Sequence, residues 1–129
     1  MAGSKTDFHE DAVLNTARGT TLTNWTPYVG ILTATSNGET SSVTEVSGNN
    51  YARQSVTFGA PSSGAMTNSG LITFPTPSGS WGTPTGLIVA DAVSAGNIRY
   101  YSDLSNSPGA IASGNTVTIA IGALSVSEG

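Results

Sequence analysis

Hydrophobic positions along the chain come in short blocks set apart by clusters of Gly, Ser, Asn and Pro, and the densest blocks lie between Gly70 and Leu104. Leu71 to Phe74 stops at Pro75, whose ring fixes the backbone and whose missing N–H cannot serve a ladder. Pro77, Ser78, Gly79 and Gly82 predict irregular chain around Trp81. Leu87-Ile88-Val89-Ala90 is apolar without interruption, the pattern of a strand covered on both faces, and Asp91 ends it. After the turn signal Ala95-Gly96-Asn97, Ile98 to Leu104 alternates as a strand with one wet face does.

The flanking chain carries the same kind of pattern. Tyr28 to Ala34 reads as a strand in which Gly30 marks a bulge or a close backbone approach. Tyr51 to Phe58 alternates, with Ala52, Gln54, Val56 and Phe58 on one side. Met66 to Phe74, Val117 to Ile121 and Leu124 to Val126 complete the set. Seven or eight strands with turns at regular intervals predict an all-β fold, an antiparallel β-sandwich of jelly-roll-like form. Residues 35–50 are rich in Ser, Thr, Gly and Asn, with Val43 and Val46 as their only aliphatic anchors, and read as a long loop that could include a short edge strand and could display a binding surface. Residues 1–19 differ. Ser4 and Asp7 have the form of a capping box, Phe8, Ala12, Val13, Leu14 and Ala17 can form an apolar stripe, and Gly19 is a natural stop. The expected organisation is a helical arm over 1–19 and a β-sandwich domain over 20–129. The arm either packs on its own sandwich or docks on a neighbouring subunit.

Composition narrows the function classes. Charged side chains make up only 9% of the 129 residues and the net charge is −4, so the surface is polar through hydroxyls and amides. Four cations cannot form a phosphate-tracking patch, so nucleic acid is not an expected partner. No cysteine is present for a disulfide or a thiolate metal site. No stretch approaches the roughly 20 apolar residues of a membrane span, and no secretory signal pattern opens the sequence.

Candidate chemistry is sparse. His9 is the single histidine; with Asp7 and Asp11 it could ligate a metal, but a solvated charge cluster is the simpler reading, and no metal or cofactor is expected. No serine sits in a Gly-x-Ser-x-Gly elbow, and no second histidine exists to activate one. Asp91 and Asp103 end or leave neighbouring strands and could approach as glycosidase carboxylates, but capping of a turn or loop by Asp91 is the simpler reading. Arg53 and Arg99 fall inside strands, where they could pair with Glu45, Asp91 or Asp103 at a sheet rim or form ion pairs between subunits. Trp81, Tyr100 and Tyr101 beside Asn and Asp could stack on sugars, or pack in the core. No catalytic residue is assigned.

Residues 45–126 carry a resemblance. The run Glu-Val-Ser-Gly-Asn-Asn-Tyr-Ala-Arg-Gln, followed by Val-Thr-Phe, Ile-Thr-Phe-Pro-Thr-Pro-Ser-Gly-Ser-Trp-Gly, Val-Ala-Asp-Ala, Gly-Asn-Ile-Arg-Tyr-Tyr-Ser-Asp-Leu and Leu-Ser-Val, resembles a family of small tailed-bacteriophage virion proteins. Members are described as tail fibre-like, and similar sandwiches serve as capsid decoration or cement proteins. The resemblance implies a structural virion protein without catalytic residues, made in the bacterial host cytoplasm. Its first expected role is a decoration or cement protein on the outer capsid surface, bridging capsomers as a homotrimer, with the major capsid protein and itself as partners and no nucleic acid or membrane. Under that role Lys5, Asp7, Phe8, Glu10 and Asp11 face the capsid, Trp81 and Ser107 face neighbours, and Arg53 and Arg99 supply intersubunit ion pairs. The alternative is a tail or head fibre module that meets host glycan through the 35–50 loop with Trp81, Tyr100 and Tyr101.

Overall fold

The computed structural model describes residues 4–104 and 108–128. In chain order these form β1 (Ser4–Lys5), α1 (Asp7–Thr16), β2 (Tyr28–Asn37), β3 (Ser42–Glu45), β4 (Gln54–Ser55), β5 (Ala65–Thr67), β6 (Ile72–Thr73), β7 (Gly86–Ala90), β8 (Ile98–Asp103), β9 (Thr118–Ile119) and β10 (Ser125–Ser127). All pairing is antiparallel. One six-stranded sheet runs β1-β8-β7-β2-β3, with β4 also on β2, and two ribbons, β5 with β10 and β6 with β9, lie apart from it. The fold is therefore a sandwich-like all-β architecture with one short helix.

The uninterrupted apolar run becomes β7, and its burial follows the expectation: Ile88, Val89 and Ala90 are all buried. Val29, Val89 and Tyr100 stand side by side across β2, β7 and β8 and face the core. The ribbons supply the opposite wall, with Ile72, Val126 and the neighbouring Phe74 and Leu124 in the same apolar cluster. Burying these side chains is the main favourable contribution to folding.

The strands are more numerous and shorter than the pattern predicted. Met66 to Phe74 divides because Asn68, 1% exposed, turns its side chain inward. Its Nδ2 donates to Gly70 O and Ala120 O while its Oδ1 accepts from Leu124 N, so a buried amide takes over the pairing a continuous ladder would have made. Tyr51 to Phe58 does not alternate: Arg53 and Val56 are both buried, and only Gln54–Ser55 joins the sheet. The short edge strand that the 35–50 stretch could hold is present as β3, Ser42–Glu45, beside a β2 that runs on to Asn37. Asn49 and Asn50 then take positive φ and tie this segment to the Thr76–Ser80 stretch at the surface, donating to Ser80 O and Thr76 O. Gly30 marks a close approach, not a bulge. A Cβ there would lie 2.5 Å from Glu45 Oε2 and 2.9 Å from the Tyr51 hydroxyl.

Gly86 is equally constrained, because a Cβ would lie 2.6 Å from the Ser102 carbonyl oxygen, a backbone atom of the paired strand. Gly86→Ala should therefore force β7 and β8 apart and cost about 1–3 kcal/mol. Gly70→Ala, which meets nothing within 4 Å, serves as the control and should change stability by less than about 1 kcal/mol. Urea denaturation of the two variants measures the difference; equal midpoints would refute it.

Candidate functional site

The N-terminal segment is tied to the sheet from its first described residues. Ser4 is not a cap: Ser4 and Lys5 pair with Tyr101 and Tyr100 as an edge strand. The cap is Thr6, fully buried, whose side chain accepts from His9 N and donates to Ile98 O at 2.6 Å. Asp7 and Glu10 in the first turn suit the helix dipole. Gly19 ends the element as expected, at φ 88°. The apolar stripe is not buried, since Phe8 is 45% and Leu14 67% exposed; the one buried side chain of α1 is His9.

That burial corrects the reading of His9 as part of a solvated cluster or as a metal ligand with Asp7 and Asp11. Its ring turns away from those exposed carboxylates and packs against Tyr100, with centroids 4.6 Å apart. Nε2 lies 2.6 Å from Glu128 Oε1, the Tyr100 hydroxyl donates to the same oxygen at 2.5 Å, and Lys5 Nζ lies 3.4 Å from Oε2. One carboxylate thus joins β1, α1, β8 and the residue after β10. Burial pushes the Glu128 carboxyl up, but hydrogen bonds from Tyr100 and His9, with the His9 charge and Lys5, hold it below the ordinary value. Burial and the Glu128 hydrogen bond push the Tyr100 phenol up. Glu128 was not singled out from the sequence. Its signal was weak: an acid one residue beyond a short alternating strand.

Beside this clamp, Arg99 is 7% exposed and lies between two aromatic faces, 4.8 Å from the Phe8 centroid and 4.9 Å from that of Trp25. Its Nε donates to Asp91 Oδ2 at 3.2 Å. Nη1 is buried without a hydrogen-bond partner. Arg99 also borders an open pocket of about 460 Å³ between α1 and the Thr20–Thr23 segment, lined further by Phe8, Asp11, Ala12 and Asn15.

The other expected site residues are placed differently. Arg53 forms a two-pronged pair with Glu45, both contacts at 2.9 Å, and gives Nη1 to Ala92 O and Ala95 O. Its hydrogen bond to Glu45 raises its own pKa, while burial and the Glu45 hydrogen bond push the Tyr51 phenol up. Both arginines therefore make the expected rim pairs within one chain. Trp81, 4% exposed, stacks edge-on against Tyr51 and Phe74 and donates its indole N–H to Asn49 O. Tyr100 is likewise buried and Tyr101 half-buried, so the rings pack as in the simpler reading, and the alternative of a common surface platform for sugar is not formed. Asp103 faces Gly86, whereas Asp91 follows Ala90 at the far end of the ladder. Five residues at ~3.3 Å each put them roughly 16 Å apart, beyond the ~5–10 Å of paired glycosidase carboxylates. Asp91 instead accepts from Asn97 N at 2.7 Å and from Arg99; burial raises its pKa, but these bonds outweigh it and hold the carboxyl low. Ser107 lies outside the described residues.

The side chains that carry chemistry here cross-link segments of a small antiparallel β-sandwich, and the chain is of the class of β-rich structural modules. The model of the family described as Podophage GP4 fiber I protein gp80 matches residues 4–127. The chain belongs to that family, and so to the structural virion proteins of tailed phages. No curated protein matches it.

The clamp has a definite pH dependence. Because the folded-state pKa of Glu128 is lowered, its contribution is complete above the ordinary value of 4.5 and is lost as pH falls through the lowered one. The carboxylate is 40% exposed and screened by solvent, so Glu128→Gln should cost at most about 1 kcal/mol at neutral pH. The melting-temperature gap between the native protein and Glu128→Gln should narrow as pH drops below 4.5. A gap that widens in acid would overturn the assignment.

Proposed function

We propose that this protein is a non-catalytic fibre component of a podophage particle, attached through the exposed face of α1. The match of the fibre protein family over residues 4–127 carries this reading. Supporting it, Asp7, Phe8, Glu10 and Asp11 are exposed on the first turns of a helix whose start is held by β1, by the Thr6 cap and by the Glu128 clamp. A surface fixed in this way loses little conformational entropy on docking. Lys5 has its ammonium on Glu128 and supports the attachment face indirectly. Decoration of the outer capsid as a homotrimer, bridging capsomers, is the second reading. What favours it is the shape of the polar surface: a sandwich with few charges and one charged helical face would also suit tiling on a shell.

Labelling the protein in purified virions and imaging the particles distinguishes the two. The fibre reading expects a small number of copies, seen at the tail and lost with it. Copies spread over the shell in numbers comparable to the major capsid protein would replace it with decoration. The charge-reversal pair Asp7→Lys and Glu10→Lys should lower incorporation at least tenfold while leaving the melting temperature within a few degrees; full incorporation would move the attachment surface elsewhere.

A further inference from the structure

Of the two buried arginines in the described chain, Arg99 is the one whose hydrogen-bonding capacity is left mostly unused. Arg53 engages Nε, Nη1 and Nη2, Lys5 reaches Glu128, and the exposed Arg18 is held by Asn15. Arg99 is as deeply buried as Arg53, yet its single acceptor among the described residues is Asp91, met through Nε. A buried cation with one acceptor has hydrogen-bonding capacity to spare, and where it borders a pocket it can take an acceptor from a ligand. The Phe8 and Trp25 faces hold the guanidinium plane in place. A guanidinium N–H gives a carboxylate a short, charge-assisted hydrogen bond.

We propose that the pocket between α1 and Thr20–Thr23 is a socket for an aspartate or glutamate side chain of the virion protein that docks on α1, with Arg99 as its anchor. This rests on the attachment reading above and names the chemistry at its centre. Nη1 is sealed, so the incoming carboxylate meets the guanidinium through Nη2. The hydroxyls of Thr20, Thr21 and Thr23 line the same pocket and can donate to the second oxygen. Asp11 on the rim disfavours a doubly charged phosphate, and with Asp7 and Glu10 it calls for cationic groups flanking the incoming acid. The docking segment therefore carries one acid between basic residues, a charge order that complements a cation at the centre of an acidic helical face.

The test uses the full chain and two peptides, acetyl-Lys-Asp-Lys-amide and its Asn counterpart. Titration followed by NMR should move the Arg99 Nε–Hε signal and the amides of Thr20 to Thr23 saturably with the Asp peptide, at least tenfold more tightly than with the Asn peptide. Arg99→Lys should weaken binding at least tenfold. Thr21→Trp, at an exposed position that leaves Arg99 and its Asp91 pair in place, should block the pocket without lowering the melting temperature. Both variants should also reduce incorporation into virions. Equal binding of the two peptides, or no effect of Thr21→Trp, overturns the socket. Tighter binding of free glucuronate than of the Asp peptide overturns it in favour of an acidic sugar. Normal incorporation of both variants overturns the docking role of the pocket even where Asp7→Lys with Glu10→Lys confirms α1 as the attachment surface.

Discussion

The structure depends on complete pairing of β7. A strand buried on both faces has no water to satisfy its backbone, so both of its edges must be hydrogen-bonded. Each residue from Gly86 to Ala90 has a partner on β2, and each also has one on β8. This requirement holds the two neighbouring strands parallel to the same axis and so sets where Tyr100, Arg99 and Val29 stand. It also explains Gly86, where the paired backbone leaves no room for a side chain. The β7–β8 ladder shifts register once, between Val89 and Ala90, which leaves Arg99 between the paired residues Tyr100 and Ile98.

With twelve formal charges in the whole chain, charge is used for connection more than for solubility. Glu45 joins Arg53 and Tyr51, Asp91 joins Arg99 and Asn97, and Glu128 joins Lys5, His9 and Tyr100. Each carboxylate holds segments that the backbone ladders leave loose: the chain before β4, the β7–β8 turn and the two ends. Pairs of this kind contribute little net stability, because desolvation offsets attraction, but they penalise alternative arrangements in which one partner is left buried alone.

The N-terminal region combines the clamp with the Arg99 pocket. Glu128 and Thr6 fix α1 from below, while its outer face stays acidic and open. A charged face on a firmly held element, beside a buried arginine with one acceptor among the described residues, is what the proposed attachment rests on. The family match gives that arrangement a setting in a phage particle.

Local chemistry by itself determined the all-β class, the doubly covered run at Leu87 to Ala90, the turn at Gly96-Asn97, the helix with its stop at Gly19 and the pairing of both arginines with nearby acids. These depend on side-chain period, on proline and glycine geometry, and on opposite charges with few competitors. Tertiary structure alone decided that His9 turns inward, that Thr6 and not Ser4 caps the helix, that Asn68 divides a strand and that Trp81 packs in the core. Each of these depends on a partner distant in the chain: Glu128 for His9, Ile98 for Thr6, Leu124 for Asn68, and Asn49 and Tyr51 for Trp81. A polar or aromatic residue has the same local preferences whether it faces water or a satisfied interior. Only the fold, by bringing the distant partner within hydrogen-bonding or packing distance, makes burial cheaper than exposure.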